Sequence, residues 1–248
     1  RPKPPTKPAQ ECLICAWATS PETARAAKRT GADVIYVPAL NYQRGAAEVA
    51  GLRVSDADQA GYPKGCVIAL PSINHDERGG SAEAKRHLDP WKNVTEGTPV
   101  LVGSFGALKR AVERGCIVEV DARLPLVNPE ALQVVQVFGA EGIWLSPELN
   151  LAQIAQLSED APVALGAKVY GAQELMVTEH CLLTSQGPCA ETCATCTRRR
   201  VPFSLKDRKG YLFPVVTDEA GRSHLYNAVT TDLVPDLPAL IRCGITRF

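Results

Sequence analysis

The stretch Ser20–Pro38 reads SPETARAAKRTGADVIYVP, and its grammar sets the fold class. Ser20 is a residue type that caps helix N-termini. Pro21 suits the first turn, where its missing N–H is not needed, and Glu22 favours the positive end of the helix dipole. An alanine-rich helix is expected from there to about Thr30, stopped by Gly31. Asp33–Pro38 (DVIYVP) then has the length and β-branched content of a strand. The same cap-Pro-Glu device returns at Asn128-Pro129-Glu130 and at Ser146-Pro147-Glu148, each time just after an apolar run. Three such starts argue for stacked βα units and a parallel sheet.

Working outward, strands are expected at Glu11–Ala16, Cys66–Leu70, Pro99–Ser104, Ile117–Asp121, Gly142–Leu145 and Val163–Tyr170. Helices are expected at Phe105–Arg114, Pro129–Phe138 and Pro147–Leu157. With Asp33–Pro38 this makes seven strands, which predicts a (β/α) TIM-like barrel rather than an open sheet. The rhythm then changes. Ser204–Val216 reads as a β-hairpin with Lys209-Gly210 near its turn. Thr231–Cys243 reads as a helix, and Gly244–Phe248 as the start of an eighth strand. Residues 1–10 are basic and carry four prolines, as a linker or tail would. The barrel domain is expected to span 11–248. A chain opening on Arg is expected to be a piece of a longer one.

Composition narrows the partners. Of 248 residues, 45% are apolar, enough for a large core. Lys+Arg and Asp+Glu stand at 27 each, so no overall charge draws the chain to nucleic acid or an anionic membrane. No apolar run has the length of a membrane span, and no signal peptide is visible. Nine cysteines, an odd number, favour a reducing, cytoplasmic setting. Cys66 and Cys116 read as buried strand residues.

The densest chemistry lies in Glu174–Arg200. Cys181, Cys189, Cys193 and Cys196 fall in one segment, the last three spaced C-x3-C-x2-C. Four thiolates can hold zinc tetrahedrally or an iron–sulfur cluster, and disulfides or idle thiols are the plainer reading. Radical S-adenosylmethionine enzymes share that spacing, but there it follows the first barrel strand. Here it follows the seventh, and Cys181 offers a fourth ligand. His180, next to Cys181, reads as a surface histidine. Arg198-Arg199-Arg200 would suit phosphates in an RNA enzyme, or a solvated loop. There is no H-E-x-x-H and no G-x-S-x-G.

With these residues in view, the chain resembles peptidase family U32, the collagenase-like proteins. The likeness is carried by Ser20–Pro38, by VLVGSFGALKRA, VEVDARLPLVNPEAL and WLSPELNLAQI within Val100–Gln156, and by LMVTEHC (Leu175–Cys181) with the cysteines after it. Leu205–Gly210, Phe213-Pro214 and Leu225-Tyr226-Asn227 add to it. The resemblance implies a barrel-like core and a [4Fe–4S] cluster on Cys181, Cys189, Cys193 and Cys196, with zinc as the alternative. It implies oxygen-independent hydroxylation of RNA with a prephenate-type oxygen donor. The expected partners are therefore RNA, a small carboxylate and the rest of a longer chain. A U32 peptidase and a non-catalytic scaffold barrel are the alternatives. Asn41–Ala46 and Gly65–Arg78 depart from the family pattern, which bears on catalysis more than on the cysteines. Candidate catalytic residues are Glu119, Glu148, Arg208 and His224. Tyr36, Arg123, Arg222 and Asn227 also fall near strand ends, and Asp121 alternates with Glu119 along one strand.

Overall fold

The computed structural model describes residues 11–40, 61–73, 89–189, 193 and 196–248. The tail at 1–10 and the departure at Asn41–Ala46 lie outside the described residues, as does part of Gly65–Arg78.

Seven strands form one parallel sheet in chain order: β1 (Cys15–Trp17), β2 (Val34–Pro38), β3 (Val67–Ala69), β4 (Pro99–Val102), β5 (Ile117–Val120), β6 (Ala140–Trp144) and β7 (Ala164–Gly166). Helices α1 (Pro21–Arg29), α2 (Phe105–Glu113), α3 (Pro129–Val137) and α4 (Leu151–Glu159) alternate with them. The result is a curled, barrel-like (β/α) sheet. Segment 245–248 reaches both of its edges. Leu13 and Cys15 donate to the carbonyls of Thr246 and Phe248, while Thr246 donates to Leu165 and Ala167 to Arg247. The expected eighth strand is therefore a short bridge between β1 and β7.

Local chemistry explains the helices. Ser20, Ser104 and Asn128 each accept a backbone N–H three residues on. The third expected start is corrected. The helix expected from Pro147 begins at Leu151, because Asn150 and Gln153 form a reciprocal capping box and outcompete Ser146. The strand expected over Val163–Tyr170 splits into β7 and a two-residue strand β8 (Tyr170–Gly171).

The strands read as mostly apolar runs, interrupted by Glu119 in β5 and Glu141 in β6, because both faces are covered. Val100, Val102, Val118, Val120, Leu132 and Val135 are wholly buried between sheet and helices. Each such side chain contributes about 1.5–3 kcal/mol. Tyr36, Val67, Ala69 and Leu101 fill the other face, inside the curl.

The chain then builds a second layer. Strands β9 (Glu174–Thr178), β10 (Phe203–Lys206), β11 (Leu212–Thr217) and β12 (Ser223–Tyr226) form an antiparallel sheet in the order β10-β11-β12-β9. The hairpin is as expected. The helix expected over Thr231–Cys243 is shorter: β13 (Thr231–Asp232) pairs with β8, a 3-10 turn follows, and α5 covers Leu237–Cys243. The four-stranded sheet is tied to the loops beyond β3 and β5. Arg222 donates to the Ile73 carbonyl, and Arg123 pairs with Glu174.

Candidate functional site

Two polar clusters and one cysteine-lined cavity emerge. The first cluster lies inside the curl. Glu119 alternates with the wholly buried Val118 and Val120 and so turns inward. Tyr36 Oη donates to its Oε2 at 2.5 Å and Trp144 Nε1 at 3.2 Å, while Arg247 pairs with Oε1. Gly142 stands opposite Glu119 in register, and a Cβ there would lie 2.9 Å from the Arg247 guanidinium. Burial and the Glu119 charge push the Tyr36 hydroxyl far above its usual range. Burial pushes the Cys15 thiol up to about 11, against the opposing pull of Arg247. Glu119 is thus satisfied on both oxygens.

The second cluster sits where barrel folds do chemistry, past the C-terminal strand ends. Asp121 and Arg123 follow β5, and Lys168 follows β7. Glu174 Oε2 accepts from Arg123 Nη2 at 2.5 Å and lies 3.3 Å from His224 Nδ1. The other ring nitrogen of His224 lies 3.3 Å from Asp218 Oδ2. Asp218 is wholly buried. It receives Arg222 Nε at 2.9 Å and the backbone N–H groups of Ala220 and Arg222. Burial pushes both carboxyls up, but His224 and the two guanidiniums outweigh it and hold them below the usual range. Burial pushes His224 down, and its two carboxylate partners more than reverse this. Burial lowers the Lys168 ammonium.

The third feature is a cavity of about 230 Å³ lined by Cys181, Cys189, Cys193 and Cys196 together with Arg198, Arg199 and Thr217. The spacing read from sequence therefore does gather four thiols. Burial raises the Cys193 thiol, and the neighbouring Cys181 and Cys189 raise it further. The arginine run braces this segment from within. Arg199 Nε donates to the Thr217 carbonyl at 2.8 Å and Nη1 to the Cys193 carbonyl at 2.9 Å. Arg198 donates to the carbonyls of Gly187 and Pro188 at 3.0 Å. The cavity and the second cluster share the β11–β12 turn, where Gly221 packs on the Cys193 sulfur.

The remaining sequence candidates are scattered. Glu148 is exposed beyond β6, and Arg208 is exposed in the β10–β11 turn. Asn227 is half-buried, its N–H on the Gln173 carbonyl at 2.8 Å. His180 is exposed, as expected. Cys66 and Cys116 are only partly buried and stand just before their strands. Sequence reasoning missed Glu174, Asp218, Lys168, Trp144 and Arg247. The one signal available was charge at strand ends and in a tight turn, which many surface residues share.

A curled parallel sheet with charged groups gathered past its strand ends defines a (β/α)-barrel-like protein. Residues 19–248 match Peptidase family U32, nearly the whole chain, and the protein belongs to that family. No curated protein matches it. Among solved structures it is similar to the spore cortex-lytic enzyme SleL of Bacillus megaterium QM B1551. Identity is 13% over 99% of this chain and 71% of that one, with a TM-score of 0.39, too low to carry an argument.

The expectation of an iron–sulfur hydroxylase acting on RNA is corrected. The matched family is a peptidase family, and among the described residues no group of three or more His, Cys, Asp or Glu side chains is arranged to hold a metal ion. The four thiols line the walls of one cavity but do not converge as ligands. Among the described residues, no helix is long and apolar enough to cross a membrane.

Proposed function

We propose that this domain is a peptide hydrolase whose site is the mouth of the barrel beneath the four-stranded sheet. The observation that carries this reading is the family match over residues 19–248. The mouth supports it chemically. Arg123 and Lys168 bring a guanidinium and an amine to the mouth, where a carboxylate-bearing peptide would meet them. Asp121, whose side chain is 19% exposed, is the carboxylate placed to take a proton from water. Both ring nitrogens of His224 face carboxylates, so it is not placed to activate a hydroxyl or thiol. Among the described residues this leaves water as the nucleophile: its hydroxyl adds to the amide carbon, the C–N bond breaks, and the proton taken up by Asp121 passes to the leaving amine. The chain should release new amino termini from a mixture of unstructured peptides, read by mass spectrometry. Asp121→Asn should lose that activity with its circular dichroism unchanged. No cleavage by the intact chain would overturn the reading in favour of a non-catalytic barrel that binds a partner.

The cysteine cavity is a separate proposal. Four thiols around about 230 Å³ suit a thiophilic group, zinc or a [4Fe–4S] cluster, once the side chains close on it. No step of the hydrolysis runs through it. Metal analysis of protein purified without oxygen tests this, with Cys→Ala changes at the four positions. An RNA contact at Arg198–Arg200 draws little support, because Arg198 and Arg199 are committed to backbone carbonyls. Nine free cysteines support a reducing, cytoplasmic setting.

A further inference from the structure

His224 is almost fully buried, yet each of its ring nitrogens lies 3.3 Å from a carboxylate oxygen: Nδ1 from Glu174 Oε2, Nε2 from Asp218 Oδ2. A neutral imidazole carries one N–H and one lone pair. Either tautomer would point that lone pair at a buried anion, at a cost this geometry has no means to offset. Only the imidazolium donates on both sides.

Charged groups of both signs surround the ring. Several elements present them to the ring or its partners. From β9 comes Glu174. From the β11–β12 turn and the start of β12 come Asp218 and Arg222. From the loop after β5 come Arg123 and Asp121, which lies 3.9 Å from Arg123. Lys168 adds its charge beside Glu174 and Asp121, and the buried Arg199 stands beside Asp218 and the buried Glu219, so it is the contact geometry at the two ring nitrogens that decides the charge of His224. Lys168 stands at the rim of the set, its ammonium on the Ala172 carbonyl.

We propose that His224 is held as an imidazolium bridging Glu174 and Asp218, and that by fixing Glu174 it aims the Arg123 guanidinium at the barrel mouth. It is a positioning residue: Glu174 Oε2 is shared between His224 and Arg123, so the ring sets where the guanidinium rests. The value of that aim rests on the mouth being the substrate site. The bridge itself does not.

Nitrogen NMR of the 248-residue chain tests both halves without any activity. The chain has four histidines, and the His224 signal is the one lost in His224→Gln. At pH 7 both its ring nitrogens should be protonated, with a midpoint above the usual histidine range. Glu174→Gln should lower that midpoint by about one to three pH units, the effect of one opposite charge in contact. A single-tautomer neutral ring at pH 7, or an unmoved midpoint in Glu174→Gln, would overturn the bridge. In His224→Gln the Arg123 guanidinium protons should exchange about tenfold faster as the local contact loosens. Unchanged exchange in a folded His224→Gln would overturn the positioning role. Failed peptide cleavage beside an intact imidazolium would count against the hydrolase alone.

Discussion

Arg247 pairs with Glu119 inside the curl of the sheet, 128 residues apart in sequence. One partner comes from the segment that bridges β1 and β7, the other from the middle of β5. The pair therefore ties the sheet's junction to its interior, in a layer shared with Tyr36 and Trp144.

Arg247→Ala should destabilise the chain by about 3–5 kcal/mol, because it strands a buried carboxylate. Replacing both residues together, Glu119→Gln with Arg247→Leu, should recover part of that loss, because the glutamine carbonyl still accepts from Tyr36 and Trp144 without a buried charge. Denaturant unfolding of the three proteins measures it. A cost below about 1 kcal/mol for Arg247→Ala would mark the pair as solvent-screened instead.

Gly166→Ala should cost about 1–3 kcal/mol, since a Cβ there would lie 2.8 Å from the Trp144 ring and must push it off its seat. The near-ultraviolet signal of the tryptophans should change with it. Gly106, inside α2, gives the opposite expectation, because a Cβ added there would meet nothing within 4 Å. Gly106→Ala should stabilise by about 0.4–1 kcal/mol through helix propensity and a less flexible unfolded chain.

The mouth cluster should make stability depend on pH from both sides. Glu174 and Asp218 have lowered folded values, so their contribution is present above about pH 4.5 and is lost as pH falls through those values. His224 has a raised folded value. Its contribution is complete below about pH 6.5 and is lost as pH rises through the folded midpoint. Thermal melts from pH 3 to 9 should therefore show a maximum between the two limbs. In His224→Gln the alkaline limb should flatten and the acid limb should weaken, because His224 is the leading group that holds both carboxyls down.

Thiol chemistry should separate Cys15 from Cys12. With the Cys15 thiol pushed up to about 11, roughly one molecule in a thousand carries the thiolate at pH 8. Cys12 is exposed. Brief treatment with iodoacetamide followed by peptide mass mapping should label Cys12 well before Cys15. Equal labelling would mean that the Cys15 layer opens in solution.

Much of the architecture was written locally. Cap residues mark α1, α2 and α3, with a proline in the first turn of α1 and α3, and short apolar runs, β-branched in β2 to β5, mark the parallel strands, because each signal acts within a few residues of where it is read. The third start failed for a local reason too: Asn150 with Gln153 makes two cap hydrogen bonds where Ser146 makes none to the helix. Cysteine spacing singled out Cys181, Cys189, Cys193 and Cys196 as one group of expected ligands, and the structure places all four in the lining of one cavity. The spacing did not foretell their orientation. That depends on the β11–β12 turn, where Gly221 meets Cys193, and on Arg199 reaching two carbonyls.

The sequence by itself determined the alternation of strands and helices, the family and the thiol-rich segment. Only the tertiary structure decided that Glu119 is locked by Arg247, that His224 lies between two carboxylates, and that Arg123 meets Glu174 across 51 residues. Secondary structure follows from nearest neighbours and their hydrogen-bonding geometry. The charge and aim of a buried group follow from whatever the fold brings to it from elsewhere in the chain, and local pattern carries no record of that.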